Sequence, residues 1–521
     1  MRKQTKIAAV VSAAALLALG ASMTSFAASK GTWMMVDGEW YCYDKNGDAY
    51  ENVFCSSSGK EYYVGDDGQL VRSEWVEYDG NYYFVNSSGA KITNDWRLTT
   101  PYDDESADEE WFYFKSNGKR AEGEKITYKG KTYYFDSDGI MLTGWVNKGE
   151  GTAAVNEATG YIAKQTFYCD ETGARVEGAW VKDTKPGITD DDADEDEYWY
   201  YLKKATGEPA TGKQSNISGQ IYLFNDEGQM HHGWVAEDGS NSTDSNAKKN
   251  TSNYYQLDEE GKEMKTAVGN VYYCGDEDDG HAKKNKWLKT WFPQDTNEEE
   301  DDQKWFWFDK NGKLFRTSTG SDATKYKLDE GKLVVDGSAS GVAKKKVNSK
   351  DYWFTSDGVM LSKFYMINDN MYYFGGSDDG AMKTGAQTVK DNAGDSYNFY
   401  FYTKDQSSSY ESSKHEKLYK GAGVIGNQSN KLYYYGMLTK ADDYKYQLAE
   451  VNGKTFIVNS NGSIQHSSIE YKEDGDVLID ATNVKSFDKD DAQYKYNFTR
   501  SELGKSSVTD IDLNDFVENI K

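Results

Sequence analysis

The chain has 521 residues, a formal net charge of −26 and an aromatic content of 15%, with 14 Trp and 41 Tyr. Such acidity argues against nucleic acid or anionic lipid as the main partner, because both select basic surfaces. Four cysteines without a C-x-x-C pair, and five scattered histidines, argue against a disulfide framework and a zinc site.

Residues 1–27 read as an export signal: Arg2, Lys3 and Lys6, an apolar run from Ile7 to Ala21, and a cleavage site at Ser25-Phe26-Ala27. Its loss removes three positive charges and leaves the mature chain more acidic still. Nothing later is apolar for long enough to span a bilayer, and the last residues, Asn514 to Lys521, are not a hydrophobic sorting tail. The expectation is a secreted protein whose attachment to a surface is non-covalent.

From Trp40 onward one phrase recurs: two to four aromatic residues, about four polar residues, then Gly. It runs from Trp40 to Gly47, Tyr82 to Gly89 and Trp111 to Gly118, and begins again at Glu61, Thr132, Thr166, Tyr200, Ile221, Tyr254, Trp305, Asp351 and Thr455. Longer variants run from Val271 to Gly280 and from Met371 to Gly380, and steps of 21 residues recur, as from 40 to 61. A fixed period predicts an array of small units rather than one core. Trp33 stands seven residues before Trp40, and Trp75 seven before Tyr82, with Asp37-Gly38 and Asp79-Gly80 between them. Asp-Gly between short aromatic strands predicts a β-hairpin with a two-residue turn. A lone hairpin is unstable in water, so stacked neighbours must supply the stability.

Three acidic inserts, 101–110, 186–197 and 293–302, follow Trp96, Trp180 and Trp291 and lengthen the hairpin turn at little entropic cost. They read as solvated turns, with focusing of a cation near the adjacent tryptophans as the sharper alternative. Calcium is weakly supported, since no D-x-[DN]-x-[DN]-G loop is present. Cys42 and Cys55, in successive units, can pair as a disulfide, whereas Cys169 and Cys274 occupy apolar places and are expected as buried thiols. The expected layout is repeats over 28–390, degenerate repeats over 391–462, and a cap or tail over 463–521.

The segment from Gly130 to Val146, GKTYYFDSDGIMLTGWV, and its echo from Gly228 to Trp234, GQMHHGW, resemble the choline-binding or cell-wall-binding repeat of Gram-positive surface proteins. Glucan-binding repeats and clostridial toxin repeats look similar. The resemblance covers about residues 31–462. It implies an all-β fold, a solenoid of stacked β-hairpin repeats in a superhelix, with ligands in grooves between successive hairpins. In choline-binding members a quaternary ammonium sits between aromatic walls beside a Met. Aromatic faces attract such a cation, Met adds a polarizable floor, and an array works by avidity.

On this resemblance the candidate ligand-binding pairs are Trp33 with Trp40, Trp75 with Tyr82, Trp96 with Trp111, Trp180 with Trp199, Trp234 with Tyr254, and Trp291 with Trp305. Met141 and Met230 hold the family's Met place before Trp145 and Trp234. Units with Lys125 and Thr132, or Gln214 and Ile221, lack both walls and read as spacers. The second and third residues of each phrase, such as Tyr133 and Tyr134, are assigned to the core, and His231 and His232 to the surface or a groove rim. No H-E-x-x-H, G-x-S-x-G or P-loop motif is present, and a tail of about 59 residues is small for a catalytic domain. The expectation is a non-catalytic protein without cofactor or metal. Its expected partner is choline-decorated teichoic acid or another cell-wall polymer, with glucan or host glycan as the alternative.

Overall fold

A computed structural model describes residues 31–483 apart from 149–152, 156–160, 188–195, 238–253, 258–263, 265–266, 268, 294–301, 318, 407–417 and 452–453. The export signal, most of the second and third acidic inserts, and residues 484–521 of the tail therefore lie outside the described residues. Apart from a short 3-10 turn at Ala163–Gln165, the described regular structure is strand throughout, as expected. The chain forms two compact units, one of Met1–His231 with Asp244–Tyr254, the other of His232–Thr243 with Tyr255–Lys521.

The first unit contains successive antiparallel hairpins. The first four pair Thr32–Val36 with Glu39–Tyr43, Val53–Ser57 with Lys60–Val64, Glu74–Tyr78 with Asn81–Val85, and Asp95–Thr99 with Glu110–Phe114. The next four pair Lys125–Tyr128 with Lys131–Tyr134, Gly144–Asn147 with Thr166–Cys169, Ala179–Asp183 with Tyr198–Leu202, and Gly212–Ile217 with Gln220–Phe224. The tight turns take the left-handed conformation that a two-residue hairpin demands: φ is 54° at Asp37 and 91° at Gly38, and 50° at Asp79 and 66° at Gly80.

The polar half of each phrase builds a second turn. In the fifth hairpin the Asp136 carboxylate accepts the Asp138 N–H at 3.0 Å and the Ile140 N–H at 2.8 Å, an Asx-type closure. Two residues past the Gly, the chain donates an N–H to the first phrase residue of the preceding hairpin. Leu70 bonds the Trp40 carbonyl at 2.8 Å, Arg120 that of Tyr82 at 2.8 Å, Met141 that of Trp111 at 2.9 Å and Met230 that of Trp199 at 2.9 Å. This one bond fixes the register of each hairpin on the last, and the stacked rings bury the surface that a single hairpin leaves wet.

The Gly of the phrase also serves this stitch. Gly173 has φ of 78°, and a Cβ built on it would run into Met141 Sδ. Gly173→Ala should therefore cost about 1–3 kcal/mol, from the left-handed backbone and from displacement of Met141. A urea midpoint equal to that of the natural chain would reduce this Gly to a simple linker.

Cys42 and Cys55, whose place in successive units allows a disulfide, are brought together, buried in one cluster with Trp33, Val64 and Leu70, here as free thiols. A hydrogen bond between the two lowers the Cys42 pKa and, with burial, raises that of Cys55. Cys169 and Cys274 are buried thiols, and burial pushes Cys169 up to about 12. The Cys169 thiol is therefore protonated at pH 8, and the thiolate is the reactive form. Iodoacetamide should spare Cys169 at that pH until urea unfolds the chain. Rapid labelling of the native protein would show instead that its hairpin opens readily.

The second unit begins with the same motif and then departs from it. Trp234–Glu237 pairs with Val271–Tyr273 in a sheet that includes Tyr254–Gln256, and Lys286–Thr290 pairs with Lys304–Phe308. Next, Ser321–Asp329, Lys332–Val347, Lys350–Phe354, Phe364–Ile367 and Asn370–Tyr373 merge into a five-stranded sheet. A second five-stranded sheet unites the degenerate segments Ser396–Phe401 and Lys431–Tyr434 with Gly385–Lys390 and two short strands. Two hairpins follow, Tyr446–Val451 with Lys454–Asn459 and Glu470–Glu473 with Asp476–Asp480. The last lies in the tail, where no phrase marks it. Its Tyr471, Leu478 and Ile479 join the apolar cluster of Phe399, Leu432 and Phe456, so burial by neighbours replaces the aromatic pattern.

Candidate functional site

Three grooves share one construction. In the fourth hairpin, Trp96 pairs in register with Tyr113, and Leu98 with Trp111. The Trp96 and Trp111 ring centroids lie 6.4 Å apart with planes at 84°. The next hairpin brings Tyr133 to 4.8 Å from Trp96 at 67°, and Met141 packs into the same cluster. The seventh hairpin repeats this: Trp180 and Trp199 at 6.3 Å and 88°, Tyr222 at 4.8 Å from Trp180, and Met230 in the same apolar cluster. The second unit does so once, with Trp287 and Trp305 at 6.4 Å and 83°, Tyr352 at 4.8 Å from Trp287, and Met360 beside them.

Each groove is thus a corner of two perpendicular indoles, a tyrosine from the following hairpin and a thioether. Trp111 is 43% exposed, and Trp96, Trp180, Trp199, Trp287 and Trp305 are half-buried, so the walls meet solvent. Perpendicular faces suit a compact, nearly spherical cation, which several ring quadrupoles attract at once. A residue opposite the second indole sets the rim. It is Leu98 at Trp111; Lys182 at Trp199, with its ammonium 5.9 Å from the ring; and Lys289 at Trp305, ion-paired with Asp378 at 3.0 Å. Asp378 also accepts the Trp305 Nε1–H at 2.8 Å.

The first groove is a variant. Trp33, Trp40, Tyr62 and Leu70 line a cavity of about 360 Å³ together with Ser57, Arg72 and Ser88. Trp33 is buried and its Nε1 has no hydrogen-bond partner, while Arg72 pairs with Glu39 at 2.8 Å.

Other candidate residues fall into closed grooves. Trp75, Trp145 and Trp234 are 4%, 9% and 6% exposed, against the expectation of solvent-facing walls. Trp75 is packed by Phe84, Phe112 and Phe114 at 5.5, 4.9 and 5.5 Å and donates Nε1–H to the Thr100 carbonyl at 2.9 Å. Tyr102, from the first acidic insert, covers Tyr82 at 4.8 Å. This insert is therefore not simply a solvated turn, because it folds back over the third groove. Trp145 packs on Tyr168 and Tyr200 at 5.1 and 4.8 Å. Trp234 packs on Tyr273 and Phe306 at 5.2 and 4.8 Å and donates to the Trp291 carbonyl at 2.9 Å.

The pairings also shift. Trp305 meets Trp287 and not Trp291, which lies beyond the strand Lys286–Thr290. Counting seven residues forward from Gly280, as from Gly89 to Trp96, finds Trp287, whereas counting back across an insert does not. Trp234 pairs in register with Tyr273 of the Val271 phrase. Tyr254 is buried in the first unit, its carbonyl 3.0 Å from the buried His231 Nε2, so His231 is not on a rim. Met141 and Met230 serve the grooves of Trp96 and Trp180, not those of Trp145 and Trp234. Tyr133, assigned to the core, is a half-buried third wall, while Tyr134 is core at 2% exposure. Tyr62, Tyr222, Trp287, Tyr352 and Met360 are further walls that the pairing by single hairpins does not reveal.

The choline-binding type of cell wall binding repeat matches residues 73–91, 106–119 and 126–141. Glucosyltransferase-I of Streptococcus downei is 25% identical over 502 residues, 88% of this chain and 27% of that protein. Glucosyltransferase-S of Streptococcus mutans is 30% identical over 202 residues, 39% of this chain and 12% of that protein. The chain thus spans about a quarter or less of these relatives. Among solved structures, choline binding protein F from Streptococcus pneumoniae is 18% identical, with 74% of this chain and 98% of that chain covered and a TM-score of 0.33.

Proposed function

From a chain that carries cell wall binding repeats of the choline-binding family, we propose a secreted, non-catalytic protein that attaches to the bacterial cell wall through quaternary ammonium groups such as the choline of teichoic acid. The observation that carries this reading is the threefold recurrence of the Trp–Trp–Tyr–Met corner, at Trp96, Trp180 and Trp287. A flat sugar ring prefers one broad face, whereas two indoles near 90° present a socket for a rounded cation. Each aromatic face contributes about 0.5–2 kcal/mol, so a single groove binds modestly and the array binds by avidity. The strongly acidic chain adds long-range attraction for cations. Burial raises the Tyr352 pKa, which keeps that wall neutral near pH 7.

The test is passage over a choline or tertiary-amine resin. Retention with release by free choline is the expected result. Flow-through on that resin combined with binding to an α-glucan column would overturn the reading.

A glucan reading is favoured at the first groove alone. There Ser57, Ser88 and Arg72 place hydrogen-bonding groups beside Trp33 and Trp40, and Leu70 stands where the three Trp–Trp corners have Met. Trp40→Ala should then weaken glucan binding without altering release by choline.

A further inference from the structure

We infer that the third groove is a cation cage whose ligand place is taken by the chain's own Arg120, which stands two places past the phrase Gly where the open groove of Trp96 has Met141. This rests on the reading of the open grooves as cages for quaternary ammonium. Trp75, Tyr82 and Phe112 correspond place by place to Trp96, Trp111 and Tyr133. Trp75 and Phe112 lie 4.9 Å apart at 89°, as Trp96 and Tyr133 lie 4.8 Å apart at 67°. The backbone of Arg120 bonds the Tyr82 carbonyl as that of Met141 bonds Trp111.

Besides the exchanged rings and the Tyr102 cover, the side chain at that place differs. The Arg120 guanidinium carbon is 4.4 Å from the Tyr82 ring centroid, 5.5 Å from Trp75 and 5.9 Å from Phe112. Its side chain is 6% exposed, and Nε donates to Glu122 at 2.9 Å. A weakly hydrated planar cation facing three rings within about 6 Å is the arrangement that cation–π attraction favours. A methionine ends short of that point, which leaves room for a trimethylammonium head.

The same substitution recurs in neighbouring grooves. Lys91 points its ammonium at Phe54 and Tyr83, at 4.9 and 5.3 Å, and pairs with Glu61. Arg175 lies 5.0 Å from Phe167 and donates to the Tyr134 hydroxyl at 3.0 Å. In the groove of Trp96 that place is Met141.

Choline equivalents bound per chain, counted by titration calorimetry on the full-length protein, test the inference. Arg120→Met should bind one equivalent more than the natural chain, and Met141→Arg one fewer. Near-UV circular dichroism should keep its aromatic signal in both. Glu122, freed in Arg120→Met, is 39% exposed and is solvated by water. An unchanged count in Arg120→Met overturns the inference, as does an undiminished count in a folded Met141→Arg chain. If Arg120→Met fails to fold, Met141→Arg decides alone. Should the natural chain bind no choline while Arg120→Met binds one equivalent, the reading of the open grooves fails and this inference stands.

Discussion

Trp75→Ala should destabilise the first unit by about 3–5 kcal/mol, whereas Trp111→Ala should change its stability by less than about 1 kcal/mol. Both residues were equal candidates for ligand walls, so the contrast separates core from site. Trp75 is 4% exposed and Trp111 is 43% exposed. Removing the Trp75 indole opens a cavity among Phe84, Phe112 and Phe114 and leaves the Thr100 carbonyl without its donor. It also strips one ring from the buried Arg120 guanidinium. Trp111 keeps its backbone bond to Met141 whatever its side chain. Hairpin arrays can unfold in parts, so the measurement is urea unfolding followed by near-UV circular dichroism and by hydrogen exchange of the third and fourth hairpins. Equal losses from the two substitutions would show that the fourth groove is as much core as the third.

The triple substitution Trp111→Ala, Trp199→Ala and Trp305→Ala should weaken binding to a choline-bearing surface by about 100-fold or more while leaving the hairpins folded. Each change removes one wall of one open groove. At about 1 kcal/mol per lost face, a single groove loses several-fold in affinity, and simultaneous engagement multiplies the losses. The rims predict an order among the single changes. Loss of Trp111 should matter most, because Leu98 at its rim carries no charge, while the rim of Trp199 carries Lys182 with the Glu197 carboxylate 4.0 Å away. Lys289 at Trp305 is offset by Asp378. Surface plasmon resonance on choline-coated chips measures both the total loss and the order. Unchanged binding by the triple variant would move the binding site away from these corners.

Much of the fold was legible. The Asp-Gly and Lys-Gly dipeptides identify two-residue turns because only residues tolerant of positive φ fit there, and Gly recurring after four polar residues marks the second turn. Of the two phrase residues assigned to the core, Tyr134 is buried and Tyr133 is half-buried, as strand alternation requires of neighbours on opposite faces. Two kinds of feature were not legible. The strands Ser321–Asp329 and Lys332–Val347, which merge neighbouring hairpins into one sheet, and the hairpin of Glu470–Asp480 carry no aromatic phrase and owe their shape to long-range packing. Inserts also blurred spacing. Across 293–302 the backward count selected Trp291, although the forward count from Gly280 reaches the indole that faces Trp305.

The site divides along the same line. The pairing of Trp96 with Trp111 and of Trp180 with Trp199 was implied by the family resemblance, whereas sequence by itself determined that the chain is an array of β-hairpins and that tryptophans lead several of them. These follow from turn chemistry and strand register, which act over a few residues. The tertiary structure alone decided which grooves are open. Each groove takes its third wall from the next hairpin, its floor or plug from the residue two places past that hairpin's phrase Gly, and in the third groove its cover from an acidic insert. Those contacts are made only when the stitch between hairpins closes, as Met141 N–H to Trp111 or Arg120 N–H to Tyr82. Two tryptophans in equivalent strand positions can therefore end, like Trp96 and Trp75, as a solvent-facing wall and as core.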